Sequence, residues 1–218
     1  MLLMADAAVD NDVILKGVSY GFLNELLGAI PGGPYAHGIL GTAKYVLRKA
    51  LRKRPPQRVI AATQELEAVF ASLEILEPTE QETAVAAQLE FEAQRQAVPM
   101  HVGECQLVAM FVSRGLHHVL TGDRKAIAAL ASIALPAGID RAKLTARFIC
   151  FEQAIRHLVG ALGATTVKDA ICAEREVDIA MRVCFSCTSP EVGETSWLAG
   201  LDSHIADLRA VSGGLLAI

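Results

Sequence analysis

Three carboxylates stand where strand and helix geometry can bring them together. Asp10 ends the apolar run 2–9 and opens DNDVILK. Glu104 stands near the start of an apolar-faced helix in HVGECQLVAMFV, and Asp123 follows a second apolar run in HHVLTGDRKAI. In an open parallel sheet, ligands bind outside the carboxyl ends of the strands, where Asp10 and Asp123 would both lie. Converging carboxylates repel, and one keeps its proton unless a cation sits among them. Hard divalent ions relieve this, and Mg²⁺ or Mn²⁺ prefer oxygen ligands and retain waters. Such an ion polarises a phosphoryl oxygen and activates water, so the chemistry expected of this trio is metal-dependent phosphodiester hydrolysis. Asp12 is a candidate fourth ligand, and Asp6 is a rival to Asp10 if the first strand is shorter. The plainer readings are that Asp10 and Asp123 serve turns or helix caps, and that Glu104 favours a helix dipole.

Around these acids lie groups suited to phosphate. Thr121 can orient water, and Arg124 and Lys125 follow Asp123 in a first helical turn. Six cations fall within 48–58, among them Arg48 and Arg52, and cations neutralise the backbone of RNA. They have a competing use as partners for the segment 65–92, which holds eight Glu and no Lys, Arg, Asp or His. His101 is a neighbour of the expected site. His117 and His118, adjacent in a strand, point to opposite faces and do not make a ligand pair.

The elements that must position these groups follow from periodicity. Strands are expected over 2–9 and 117–121. Helices are expected over 13–28, 38–53, 58–76 (with a short strand possible at its start), 79–96, 102–115 and 123–134. Thr79 followed by Glu82 is a capping-box pattern. From about 141 onward the pattern is helical throughout, over 141–163, 166–185 and 194–211. Strands alternating with helices imply an α/β sheet with crossovers. The expected organisation is an α/β domain over 1–140 and a helical C-terminal extension over 141–218. In that extension Phe148, Phe151, Ile155, Leu158 and Leu162 recur on one face, which either forms a homodimer interface or is buried within the chain.

Composition bounds the class. The chain of 218 residues is 52% hydrophobic with mean hydropathy +0.36, which excludes disorder over most of its length. Its 20 Lys+Arg against 24 Asp+Glu leave a net charge of −4. The longest charge-free apolar stretch, 126–139, is too short for a membrane span and contains Ser132 and Pro136. MLLMAD lacks the cationic start of a signal peptide. The five cysteines are odd in number and widely spaced, and are expected to be reduced packing residues in a cytoplasmic protein. The CFSC pair, Cys184 and Cys187, is weak support for zinc without a second pair.

Together, DNDVILKGVSYGFLNELL and, about 75 residues later, VGECQLVAMFVSRGLHHVLTGDRKAI resemble the PIN-domain family. There a strand ends in Asp at a D-x-N-like turn, a later helix opens with an acid, and the next strand ends in T-x-D-x. The resemblance covers roughly 3–135 and is stronger over 98–130. It implies a PIN-like parallel sheet flanked by helices. It also implies a metal-dependent endoribonuclease whose Mg²⁺ or Mn²⁺ is held by Asp10, Glu104 and Asp123, with RNA as substrate. Such proteins are often the toxin of a toxin–antitoxin pair, with a protein inhibitor as partner, or RNA-processing nucleases. Two positions depart from the pattern: Lys44, in GTAKYVLRKAL, stands where the family usually has a further acid, and His101 where many members carry Asp. The departure supports a second expectation, a catalytically degenerate PIN-like module that binds RNA or protein. A third is a wholly helical interaction protein whose carboxylates are caps.

Overall fold

The computed structural model describes residues 5–189 and 191–218; residues 2–4 of the expected first strand lie outside them. Five parallel strands form one sheet in the order β3-β2-β1-β4-β5. They are β1 (Ala7–Val9), β2 (His37–Leu40), β3 (Glu74–Leu76), β4 (His118–Thr121) and β5 (Phe148–Cys150). This is α/β architecture with helices on both faces, as expected, and it excludes the wholly helical alternative.

The strands are apolar on both sides because each face is covered. Ala7, Val9, Ile39, Leu120 and Ile149 face one core, and Ala8, Leu40, Val119, Phe148 and Cys150 face the other. The first core is packed by α1 (Asn11–Tyr20), α2 (Leu23–Gly28), α3 (Ala43–Lys53), α4 (Val59–Ser72), α9 (Phe151–Leu162), α10 (Ala164–Ala173), α11 (Ile179–Cys184) and part of α12 (Glu194–Val211). The second is packed by α5 (Glu80–Arg95), α6 (Val102–Arg114), α7 (Arg124–Ser132), the short α8 (Arg141–Leu144) and the far end of α12. Thr79 and Glu82 form the capping box at the start of α5.

Several elements differ from the sequence expectation. The first half of 38–53 contains β2, and 58–76 ends, rather than begins, in the strand β3. The helix expected over 141–163 is α8, β5 and α9. Strands of three or four residues are too short to show a period of two, so an apolar run reads equally as helix. The helix expected over 13–28 breaks at Gly21, which adopts φ 81° and closes α1 through its N–H to Gly17. A side chain there would strike the Arg58 guanidinium, whose Nη1 donates to the Val18 carbonyl at 2.9 Å.

The segment beyond 140 therefore supplies the fifth strand as well as helices. Its last residues lie along that strand: Leu216 bridges Phe148, and the Ala217 N–H donates to the Phe148 carbonyl at 2.8 Å. The apolar face considered for a homodimer is turned inward. Phe148, Phe151, Ile155 and Leu158 are buried in the chain's own cores, and only Leu162 reaches solvent. The expectation that all five cysteines are reduced is also corrected, because Cys172 and Cys187 are joined by a disulfide. Cys105, Cys150 and Cys184 are free and buried, so CFSC is not a zinc pair. Among the described residues no helix is long and apolar enough to cross a membrane.

Because Ile155 is fully buried where α9 meets the first core, Ile155→Ala should destabilise the protein by ~2–5 kcal/mol in urea denaturation. Leu162→Ala, at the exposed end of the same helix, should cost less than about 1 kcal/mol.

Candidate functional site

The strand order places a topological switch between β1 and β4. The chain leaves β1 toward β2 and β3, then returns to the other side of β1 for β4 and β5. The crevice at the carboxyl ends of the two central strands is where an open sheet of this kind presents ligands. Asp10 follows β1, Asp123 follows β4, and α6 starts at the same edge because it runs back along the sheet into β4. The result is a cleft of about 620 Å³ whose walls include Asp10, Asp12, Glu104 and Asp123. Asn11, His101, Gly103, Gly122, Arg124 and Lys125 complete it. Asp6 lies at the opposite end of β1, where it accepts the Ala36 N–H at 3.2 Å, and is no rival to Asp10.

Each acid also has a local partner. Asp10 is the N-cap of α1; its Oδ1 accepts the Asn11 N–H at 2.7 Å and its Oδ2 the Thr121 hydroxyl at 3.1 Å. The same hydroxyl oxygen accepts the Asp123 N–H at 3.1 Å, so one side chain ties together the ends of β1 and β4. Thr121 is buried, is not among the residues that line the cleft, and positions Asp10. Asp123 caps α7, with Oδ1 accepting the Ala126 N–H at 2.9 Å. Glu104 returns Oε2 to the His101 N–H at 2.8 Å. The capping roles are thus real, but each carboxylate still lines the common cavity.

Asp12 is held differently. Its Oδ2 lies 2.6 Å from the Lys16 ammonium, which is also 2.6 Å from Asp178 Oδ2. Gly122 is the residue that lets Asp12 sit there, because a side chain at 122 would collide with the Asp12 carboxylate. Lys16 is nearly enclosed and packs over the Phe151 ring at 4.9 Å. Burial alone would favour its neutral form, but the two carboxylates outweigh this and raise its pKa. Asp178 is likewise penalised by burial, but Lys16 and the N–H groups that it caps hold its carboxyl below the usual range.

The electrostatic centre of the cleft is Asp10. Enclosure in protein pushes its pKa from 3.8 up to about 7, and the nearby charges of Asp12 and Glu104 push the same way. The Thr121 and Asn11 hydrogen bonds only partly oppose them. An oxygen-donor pocket with one acid forced toward protonation fits a hard divalent cation, which would release that proton. As the side chains stand, however, no group of three or more His, Cys, Asp or Glu among the described residues is arranged to hold a metal ion. Oxygens of Glu104, Asp123 and Asp12 are turned toward the two caps and Lys16.

The predicted cations divide. Lys125 stands exposed on the cleft wall. Arg124 lines the cleft, but its guanidinium is drawn to α12, with Nη1 2.6 Å from His204 Nδ1 and Nη2 donating to the His204 carbonyl at 3.0 Å. It also faces the buried Glu152 at 3.8 Å. Arg48 and Arg52 are not among the residues that line the cleft. Arg48 grips Glu67 through two hydrogen bonds of 2.7 and 2.6 Å, the Glu-rich partnership that was its competing use. Lys16 and Asp178 were missed. Asp12 and Lys16 are four apart on one helix, a pairing the sequence carries, whereas nothing local connects α1 to Asp178.

Comparison with protein-family models finds no match, and no curated protein matches the chain.

Asp10 gives the site a pH signature. Its folded pKa lies above the unfolded value, so between pH about 4 and about 7 the native protein keeps a proton that the unfolded chain has lost. The stability gained from that proton is full below this window and is lost as pH rises through it. Asp10→Asn should flatten the loss, gaining at least ~1 kcal/mol on wild type between pH 4 and pH 7.5 in metal-free denaturation.

Proposed function

We propose that the chain is a PIN-like, divalent-metal-dependent endoribonuclease. The observation that carries this reading is the convergence of Asp10, Glu104 and Asp123, from three separated segments, on one cleft at the switch point of a parallel sheet. Asp10, Glu104 and Asp123 would hold Mg²⁺ or Mn²⁺, with Asp12 beside them. When bound, the ion would polarise a phosphoryl oxygen and activate water for attack on phosphorus. The chain's own part is positioning. The Thr121 hydroxyl fixes Asp10 against the end of β4, and the cap of α7 orients Asp123. Lys125 places a positive charge on the wall where a phosphate would enter, and no side chain need act as nucleophile. RNA as substrate and an antitoxin-type protein inhibitor belong to the same proposal and rest on the family resemblance. A cytoplasmic setting is proposed with them as the setting of an RNA-cleaving enzyme and no longer draws on reduced cysteines, because Cys172 and Cys187 are joined.

A second reading is a degenerate PIN-like module that binds RNA or protein without cleaving. It is favoured by the absence of a ready-made metal-holding group among the described residues, by the engagement of Asp12 with Lys16, and by Lys44 in place of a further acid.

A cleavage assay on mixed-sequence RNA separates the two. The nuclease should degrade RNA with Mn²⁺ and stop on chelation, and Asp123→Asn should slow it on the order of 100-fold. RNA binding without Mn²⁺-dependent cleavage, equal in wild type and Asp123→Asn, would establish the module instead.

A further inference from the structure

The cleft has a cation of its own. Lys16 is anchored on α1 and its ammonium lies 2.6 Å from a carboxylate of the cleft wall. On its other side, at the same distance, is Asp178, the N-cap of α11, contributed by the segment beyond 140. Asp178 is itself fixed, with Oδ1 accepting the Met181 N–H at 3.1 Å. An ammonium has three donor directions; here two meet carboxylates and the ammonium lies over the Phe151 ring. Lys16 therefore commits two of its three donors to carboxylates, and its charge is already shared within the protein. What it can do is divide one positive charge between Asp12, which faces the cleft, and Asp178, which does not.

We propose that Lys16 and Asp178 are positioning residues that set the divalent-cation affinity of the cleft: Lys16 competes with the metal for Asp12, and Asp178 draws Lys16 away from it. This rests on the reading of the cleft as a Mg²⁺ or Mn²⁺ site and concerns the regulation of that site. The two residues then act with opposite signs. Removing Lys16 frees the Asp12 charge and removes a repelling cation, whereas neutralising Asp178 leaves Lys16 wholly to Asp12. A purely structural role has no such sign, because damage to the fold weakens metal binding whichever partner is lost.

The test is calorimetric titration of Mn²⁺ into the full chain, in wild type, Lys16→Met, Asp178→Asn and the double variant. Asn still caps a helix, so Asp178→Asn retains the start of α11. The double variant leaves no unpaired buried charge if Lys16→Met alone fails to fold. Lys16→Met and the double variant should bind Mn²⁺ roughly tenfold tighter than wild type, and Asp178→Asn roughly tenfold weaker. Weakening in all variants, or no change in any, overturns the proposal while leaving the metal site standing. If wild type binds no Mn²⁺ but the double variant does, Lys16 is confirmed as the competing cation and the nuclease reading of the native chain falls. If no variant binds Mn²⁺, the proposal is overturned.

Discussion

Like charges gathered at one edge of a parallel sheet repel, and a fold that gathers them has to balance them. Here the balance is reached in three ways within one cleft. Asp10 yields part of its charge by holding a proton toward neutral pH. Asp12 is matched by a buried ammonium. Glu104 and Asp123 are satisfied by backbone N–H groups at helix starts, where the dipole favours negative charge. Each solution uses an element that the sheet topology already requires, so the acidic cleft is stable within the fold and still presents oxygen donors.

The same constraint explains why the segment beyond 140 belongs to the functional unit. Asp178 anchors Lys16, His204 and Glu152 hold Arg124, and Phe151 lies under the Lys16 ammonium. The Cys172–Cys187 disulfide closes the loop in which Asp178 sits. A domain read as ending near 140 would leave a buried lysine with one partner and an arginine without its nearest acceptors. The helical segment thus fixes the charges behind the cleft as well as covering a face of the sheet.

What was legible in the sequence was what depends on local order. Asp10 and Asp123 were found because each marks the junction between an apolar strand and a helix, and Glu104 because it stands in the first turn of an apolar-faced helix; such positions leave a trace in composition. The capping box at Thr79 and Glu82 was found for the same reason. β2, β3 and β5 were not, because runs such as HGIL, EIL and FIC carry too few residues to reveal a period. Arg48 and Arg52 were placed by charge alone, and charge does not say which way a helix faces. The Lys16–Asp178 pair depends on helices brought together by packing across the whole chain, which no spacing encodes.

The tail along β5 has a bearing on how the molecule behaves among its own copies. An open sheet has two borders of unpaired peptide groups, and each is a template for another chain. On one border, the Leu215 carbonyl already accepts the Phe148 N–H and the Ala217 N–H already donates to the Phe148 carbonyl. On the other, β3 is only three residues long and begins with Glu74, whose carboxylate accepts the Ala5 N–H. Shielding on one side and brevity with charge on the other discourage edge-to-edge fibril growth, so a chain this rich in apolar residues keeps its sheet from extending into a neighbour.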